Sequence, residues 1–191
     1  MSLSGLSGLS GLSAIIKVGG LSPAGSITIP NFSFESPAQS AGASASSITS
    51  WTIGSGTCGV TNLTGQSKIT PDSINGSQVA FISGSGGLIS ITLSDVFENR
   101  QYRFDYSAGR RNDINYPSVI ANGAGVVLVG SSGVSGFDYL PIPASGAWVT
   151  KSITFTPDPS DVGSPIDILF QAGGFSGTSR ALLDNLTLTK L

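Results

Sequence analysis

The chain has 191 residues, only 10% of them charged, with nine Lys/Arg against eleven Asp/Glu and a net charge of −2; that suits one domain with a core able to fold without staples, and would leave two domains marginal. The basic residues are scattered apart from Arg110 and Arg111, which excludes the clustered positive surface that a nucleic acid partner needs. With no His, neither a Ser-His-Asp arrangement nor an imidazole zinc site can be assembled, and Cys58, the single cysteine, closes no disulfide within the chain and reads as a small buried apolar residue.

The chain opens with an uncharged stretch in which Leu3, Leu6, Leu9 and Leu12 recur every third residue between Ser and Gly. A secretion signal needs a basic start and an unbroken apolar run, and neither is present. No stretch is long enough to insert in a bilayer, so the product is expected to be kept in a cytoplasm until assembly or lysis. A period of three fits neither helix nor strand, and three glycines make a free helix costly; an extended three-per-turn coil lines the leucines along one side. Two readings stand: a floppy tail, or an adhesive arm that orders against a neighbouring subunit, the latter favoured by the regular leucines. Ala14 to Leu21 and Ser26 to Ile29 are short strands or linker, broken at Pro23 and Gly25. Residues 1–25 are therefore assigned to an arm and linker, and 26–191 to the folded domain.

Beyond the arm, short apolar runs alternate with turn residues, the pattern of an all-β sandwich. Strands are expected over Phe32 to Ser36, Ile48 to Ile53, Gln78 to Ile82, Leu88 to Leu93, Arg100 to Ala108, Ser118 to Ala121, Gly125 to Val129, Trp148 to Thr156, Ile166 to Ala172 and Ala181 to Thr189. In Tyr102-Arg103-Phe104-Asp105-Tyr106 the aromatics share one face, and Ile153 with Phe155 opposes Ser152, Thr154 and Thr156. Ser83-Gly-Ser-Gly-Gly and Thr156-Pro-Asp-Pro-Ser-Asp are turn or loop material.

One ordered set of motifs runs through the domain: Asn31-Phe-Ser-Phe-Glu35, Trp51, Gly76-Ser-Gln78-Val-Ala, Tyr102-Arg-Phe, Trp148 before Ser152-Ile-Thr-Phe-Thr156, and Ala181-Leu-Leu-Asp-Asn-Leu-Thr-Leu188. Over about residues 30 to 190 it resembles the galactose-binding-like jelly-roll modules, which include carbohydrate-binding modules. The resemblance implies a two-sheet antiparallel jelly-roll β-sandwich with an extended N-terminal arm. It also implies that Glu35 and Asp184 help hold a structural calcium ion with backbone carbonyls, hard oxygen ligands that suit this ion.

Asp184 shares strand parity with Leu182, Leu186 and Leu188, so a regular strand would aim its carboxylate at the apolar interior, where it needs a partner. A place on the rim or an Arg pair are the alternatives to calcium. Trp51 and Trp148 read as core or edge packing rather than sugar-stacking platforms. Loop positions Arg110, Arg111, Tyr116 and Tyr139 are the candidate glycan contacts, since Arg bonds sugar hydroxyls or carboxylates while aromatics stack; subunit contact is the competing role of the Arg pair. A glycosidase needs two carboxylates about 5 to 10 Å apart in one cleft. The acids here sit mostly in turns with no pairing signature, so no catalytic residue is assigned and no enzyme is expected.

A low-charge sandwich, no secretion signal and a leucine-studded arm together lead to the expectation of a bacteriophage virion structural protein, a head decoration or a neck or tail-fibre subunit. The arm would bind capsid or tail subunits, and homo-oligomers are usual for such proteins. The alternative is a free carbohydrate-binding module or adhesin.

Overall fold

The computed structural model describes residues 24–67, 69–70, 74–113, 125–130, 133–141, 143–172 and 180–191. Leu3, Leu6, Leu9, Leu12, Tyr116 and the strand expected from Ser118 to Ala121 lie outside the described residues. The described chain is all-β and antiparallel, apart from one 3-10 turn at Pro159–Asp161. Its strands are β1 (Gly25–Ile27), β2 (Ser44–Ala45), β3 (Thr52–Asn62), β4 (Gln78–Val96), β5 (Tyr102–Gly109), β6 (Gly125–Gly130), β7 (Gly133–Tyr139), β8 (Trp148–Phe155), β9 (Pro165–Gln171) and β10 (Arg180–Lys190).

Hydrogen bonding follows the order β7-β6-β9-β4-β10-β5-β8, with β3 beside β4, β2 beside β3, and β1 beside β10. Residues 78–83 of the long β4 pair with β3, and 80–83 also pair with β10. Residues 88–92 of β4 pair with β9 in place of β10, while 88–90 keep β3 on the other side. The two halves thus belong to the two layers of a sandwich, and β3 turns the same corner beside β4.

That corner corrects the expectation of a loop at 83–87. The glycines there let two backbones cross closely rather than end a strand. Gly56 has φ +66°, and a Cβ on it would lie 2.6 Å from the Cα of Gly87. The expected strand over Phe32 to Ser36 is instead a turn, with Asn31 and Phe34 at φ 51° and 56°. Its backbone closes by Phe34 N–H donating to Asn31 O at 3.0 Å, and the Asn31 side chain bridges Ser36 and Thr49. The turn drops Phe34 into the core and leaves Glu35 beside residues 76–78.

Between the layers lies the main core. Tyr102, Phe104 and Tyr106 of β5 enter it as the alternation predicts, and Tyr102 stacks on Phe155 while Tyr106 meets Phe170 edge-on. Trp51 belongs here too: it is buried against Phe34 and Phe170, and its Nε1–H donates to Pro30 O at 3.2 Å. Cys58 is buried and free. A second, smaller cluster of Leu63, Ile69, Val79, Phe81 and Leu182 forms apart from the main core, with Ile74 and Trp148 packed on it. The segment from Leu63 to Ser77 supplies two of its members, Leu63 and Ile69, and Ile74 packed on them.

Gly56 separates backbone strain from crowding. Gly56→Ala is expected to lower stability by about 2 kcal/mol or more, since the left-handed φ and the Gly87 contact act together. Gly65 has φ +74° with nothing near a built Cβ, so Gly65→Ala should cost clearly less. Thermal melts of both variants check this; equal losses would remove the corner from the account.

Candidate active site

Asp184 lies in β10 opposite Ser107 of β5, and a β-bulge follows between Asp184 and Thr187. Asn185, at φ 56°, occupies the bulge. The irregularity corrects the parity expected from sequence: Leu183, Leu186 and Leu188 enter the main core, whereas Leu182 joins the second cluster. Strand alternation places Asp184 on the Leu182 face. Its carboxyl is fully buried, and Oδ2 accepts from the Asn75 amide at 2.6 Å. Oδ1 is buried without a hydrogen-bond partner.

The Asn75–Gln78 segment is held from its other side by Glu35. Glu35 Oε1 accepts from the amides of Ser77 (2.8 Å) and Gln78 (2.7 Å), and Oε2 from the Ser77 hydroxyl at 3.3 Å. Gly76, at φ +95°, gives the carboxylate room, since a Cβ there would fall 2.5 Å from Oε1. Two acids separated by most of the sequence thus grip one turn. Burial lifts Asp184 to about 7, and the negative Glu35 adds to this against the lowering effect of the Asn75 and Asn185 amides. Ser107, the cross-strand partner, is buried and shares a hydroxyl contact of 3.2 Å with Thr150 of β8.

On the same segment opens a cleft of about 460 Å³ lined by Leu63, Gln66, Ile74 and Ser77 among others. Gln66 Oε1 is buried there without a partner. A second cleft, of about 280 Å³ along β1 and Leu186, is lined by Ile27, Ile29, Phe32 and hydroxyl residues and holds no titratable side chain. Neither cleft is lined by a titratable side chain, but the first shares Gly76 and Ser77 with the turn that Asp184 and Glu35 grip.

The structure brings together Glu35 and Asp184, the pair expected to hold calcium. Both oxygens of Glu35 and one of Asp184 already face N–H or O–H donors, leaving one open oxygen where calcium needs six to eight ligands. Among the described residues no three His, Cys, Asp or Glu form a group. Two acids alone fall short of that number, so backbone carbonyls would have to complete a calcium shell here, and no step below passes through one.

Of the glycan candidates, Arg110 and Arg111 follow β5, Tyr139 ends β7, and Tyr116 lies outside the described residues. Both carboxylate oxygens of Asp113 take the Arg111 guanidinium at 2.8 Å. Arg110 is half-buried, its backbone paired with Gly146 and Ala147. Tyr139 is 49% exposed on β7, its ring edge-on to Phe137 with centroids 4.8 Å apart. Sequence reasoning passed over the amide of Asn75, the Ser107–Thr150 pair and the place of Trp148 in the second cluster. The Asn75-Gly76 dipeptide was the available signal for a turn at that point.

An antiparallel sandwich in which a buried carboxyl, Asp184, binds its proton beside an apolar cluster is the class of protein these observations define. The chain belongs to the HpiC1-like family: the HpiC1 cyclase family model matches residues 25–189. Among solved structures, the chain is similar to the Stig cyclase Fisc from Fischerella sp. TAU in complex with (3Z)-3-(1-methyl-2-pyrrolidinylidene)-3H-indole, with a TM-score of 0.70 at 19% identity over 88% of this chain and 98% of that one. A cyclase from the same organism in complex with 4-(1H-indol-3-yl)butan-2-one matches with a TM-score of 0.70 at 20% identity, covering 87% of this chain and 97% of that one. A CBM4 structure matches with a TM-score of 0.53 at 14% identity, over 86% of this chain and all of the other. At these identities the likenesses establish the fold. No curated protein sequence matches the chain.

Membership of a cyclase family overturns the expectation of a non-enzymatic virion structural protein, whether head decoration or tail fibre, and with it the virion location and the free-module alternative. The likeness to carbohydrate-binding modules holds for the sandwich fold. The non-enzyme expectation rested on the absence of histidine and of paired carboxylates, and one buried acid needs neither.

Asp184 binds its proton more tightly in the folded chain, at about 7, than at its ordinary 3.8. Its contribution to stability is therefore full below about pH 4 and is lost as pH rises to about 7, a change of about 4 kcal/mol at full effect. Asp184→Asn, which keeps the shape and an acceptor for the Asn75 amide, is expected to remove that part of the slope. Urea unfolding of both proteins between pH 4 and 8 measures it, and parallel curves would rule out a buried neutral acid.

Proposed function

We propose that the chain is an acid-catalysed cyclase in which Asp184 is the proton donor. The observation that carries this reading is the fully buried carboxyl with an unpartnered Oδ1, raised to about 7 so that about half of the molecules carry the proton at neutral pH. Donation from Oδ1 to one carbon of a π bond of the bound molecule leaves a cation on the neighbouring carbon. An internal π bond then attacks that cation, one carbon–carbon bond forms, and loss of a proton returns Asp184 to its starting state. Substrate and product are isomers, so neither oxidant nor second reactant is consumed.

The surroundings support such a step. Leu63, Ile69, Phe81 and Leu182 form a low-dielectric wall that excludes water and strengthens the acid's interactions. The Ser107–Thr150 hydroxyls sit across from Asp184, where they can stabilise charge as the proton leaves. The related cyclase structures hold indole-bearing molecules, and an apolar wall with one acid suits a planar aromatic substrate of that kind, whose enamine-type carbon accepts the proton.

Asp184→Asn should lower turnover of an indole-bearing cyclisation substrate by about 10²- to 10⁴-fold while the circular dichroism spectrum stays that of the parent. Because the acid must be protonated to act, kcat/KM should be flat below about pH 7 and fall about tenfold per pH unit above it. Full activity in Asp184→Asn would end the proposal. Calcium on the Glu35–Asp184 pair makes a different forecast, a chelator-induced fall in Tm that Asp184→Asn abolishes. A proton on Asp184 makes parent and variant respond to the chelator alike.

A further inference from the structure

We propose that Trp148 is the second recognition point of the cyclase site, its indole N–H donating to a hydrogen-bond acceptor on the substrate, so that the site selects planar apolar molecules bearing a carbonyl or imine. This rests on the assignment of the reaction to the Asp184 face.

The two tryptophans of the chain make the argument by contrast. Trp51 lies in the main core with its Nε1–H bonded to Pro30 O, as a buried indole normally is. Trp148 packs on the second cluster, and its Nε1 is buried with no hydrogen-bond partner among the described residues. Buried unpaired donors are costly and rare, and they concentrate where function needs them.

Trp148 opens β8 opposite Gly109, which in turn lies opposite Leu182. A Cβ on Gly109 would come 2.7 Å from the ring carbons Cε3 and Cζ3, so the absence of a side chain there is what lets the ring lie flat on the sheet. Beyond the ring, Thr70 bonds Gly146 through both its amide and its hydroxyl, tying the overlying segment to the start of β8. One row further along, Thr150, Ser107 and Asp184 stand in register. Two strand spacings across and two residues along place the Cα atoms of Trp148 and Asp184 about 12 Å apart. Both side chains stand on one face, and the 460 Å³ cleft against Leu63 and Ile74 of the same cluster has room for a bicyclic ring with a short polar appendage. The acid addresses one end of the molecule and the indole N–H the other.

The test uses the full chain and two probes, 4-(1H-indol-3-yl)butan-2-one and 3-butylindole, which lacks the carbonyl. Isothermal titration is expected to show the ketone binding about three- to tenfold tighter, the range of one neutral hydrogen bond. Trp148→Phe should abolish that preference and Asp184→Asn should keep it. In ¹H–¹⁵N spectra, one of the two indole N–H signals should move with the ketone and not with 3-butylindole, a readout that needs no variant. Equal binding of the two probes to the parent, or a preference that survives in Trp148→Phe, would overturn the Trp148 assignment alone. Failure of both probes to bind would instead overturn the reading of the site, and this inference with it.

Discussion

Water is the usual partner of a carboxyl group, and Asp184 is buried away from solvent. The strand that carries this residue is flanked on both faces by apolar clusters, so the acid must be held by backbone amides, by a proton, or by both. The rest of the site follows from meeting that need. An amide reaches Oδ2 because the Asn75-Gly76 turn leans over β10, and the turn stays there because Glu35 holds the next two amides. Glu35 in turn is placed by the left-handed turn at Asn31 to Ser36. Early, middle and late segments of the chain are thereby fastened around one proton.

The sandwich separates stability from chemistry. The main core between the layers is filled with close-packed rings and aliphatic side chains, and its tryptophan has its hydrogen bond. Around the second cluster and the cleft beside it the rule is broken three times, at Asp184 Oδ1, Trp148 Nε1 and Gln66 Oε1. A fold can carry such unsatisfied atoms only when packing elsewhere is ample, and natural sequences break local consistency chiefly at functional sites. The glycine corner of β3 and β4 matters for the same reason, because it carries both strands from one layer into the other.

What was legible in the sequence was the part governed by local alternation. Tyr102, Phe104 and Tyr106 face the core as their spacing requires, and β8, β9 and β10 fall within a residue or two of their expected bounds. Three misreadings have one cause, a tertiary contact overriding a local preference. Ser83 to Gly87 reads as a loop until Gly56 is seen to cross it. Phe32 to Ser36 reads as a strand until Asn31 closes a turn on Thr49. β7, with its glycines and outward Phe137 and Tyr139, lacks the apolar face that marks a strand. Asp184 was visible as an acid among leucines, but the bulge that turns it from Leu186 and Leu188 depends on a left-handed Asn185, which no alternation rule anticipates.

The misjudged function has a chemical cause. Hydrolysis needs an activated water or nucleophile and a second group to assist the leaving atom, so its sites show as pairs and triads of residue types. Ring closure within one molecule brings its own nucleophile and has no leaving group to protonate separately. One acid suffices, and everything else the site must do is exclusion and shape, which apolar residues supply. Such a site has no residue signature, because any Asp becomes the acid once burial raises its affinity for a proton. On the proposed reading, a sandwich like those that present sugar-binding surfaces in other proteins hosts a ring closure by placing one carboxyl under a turn.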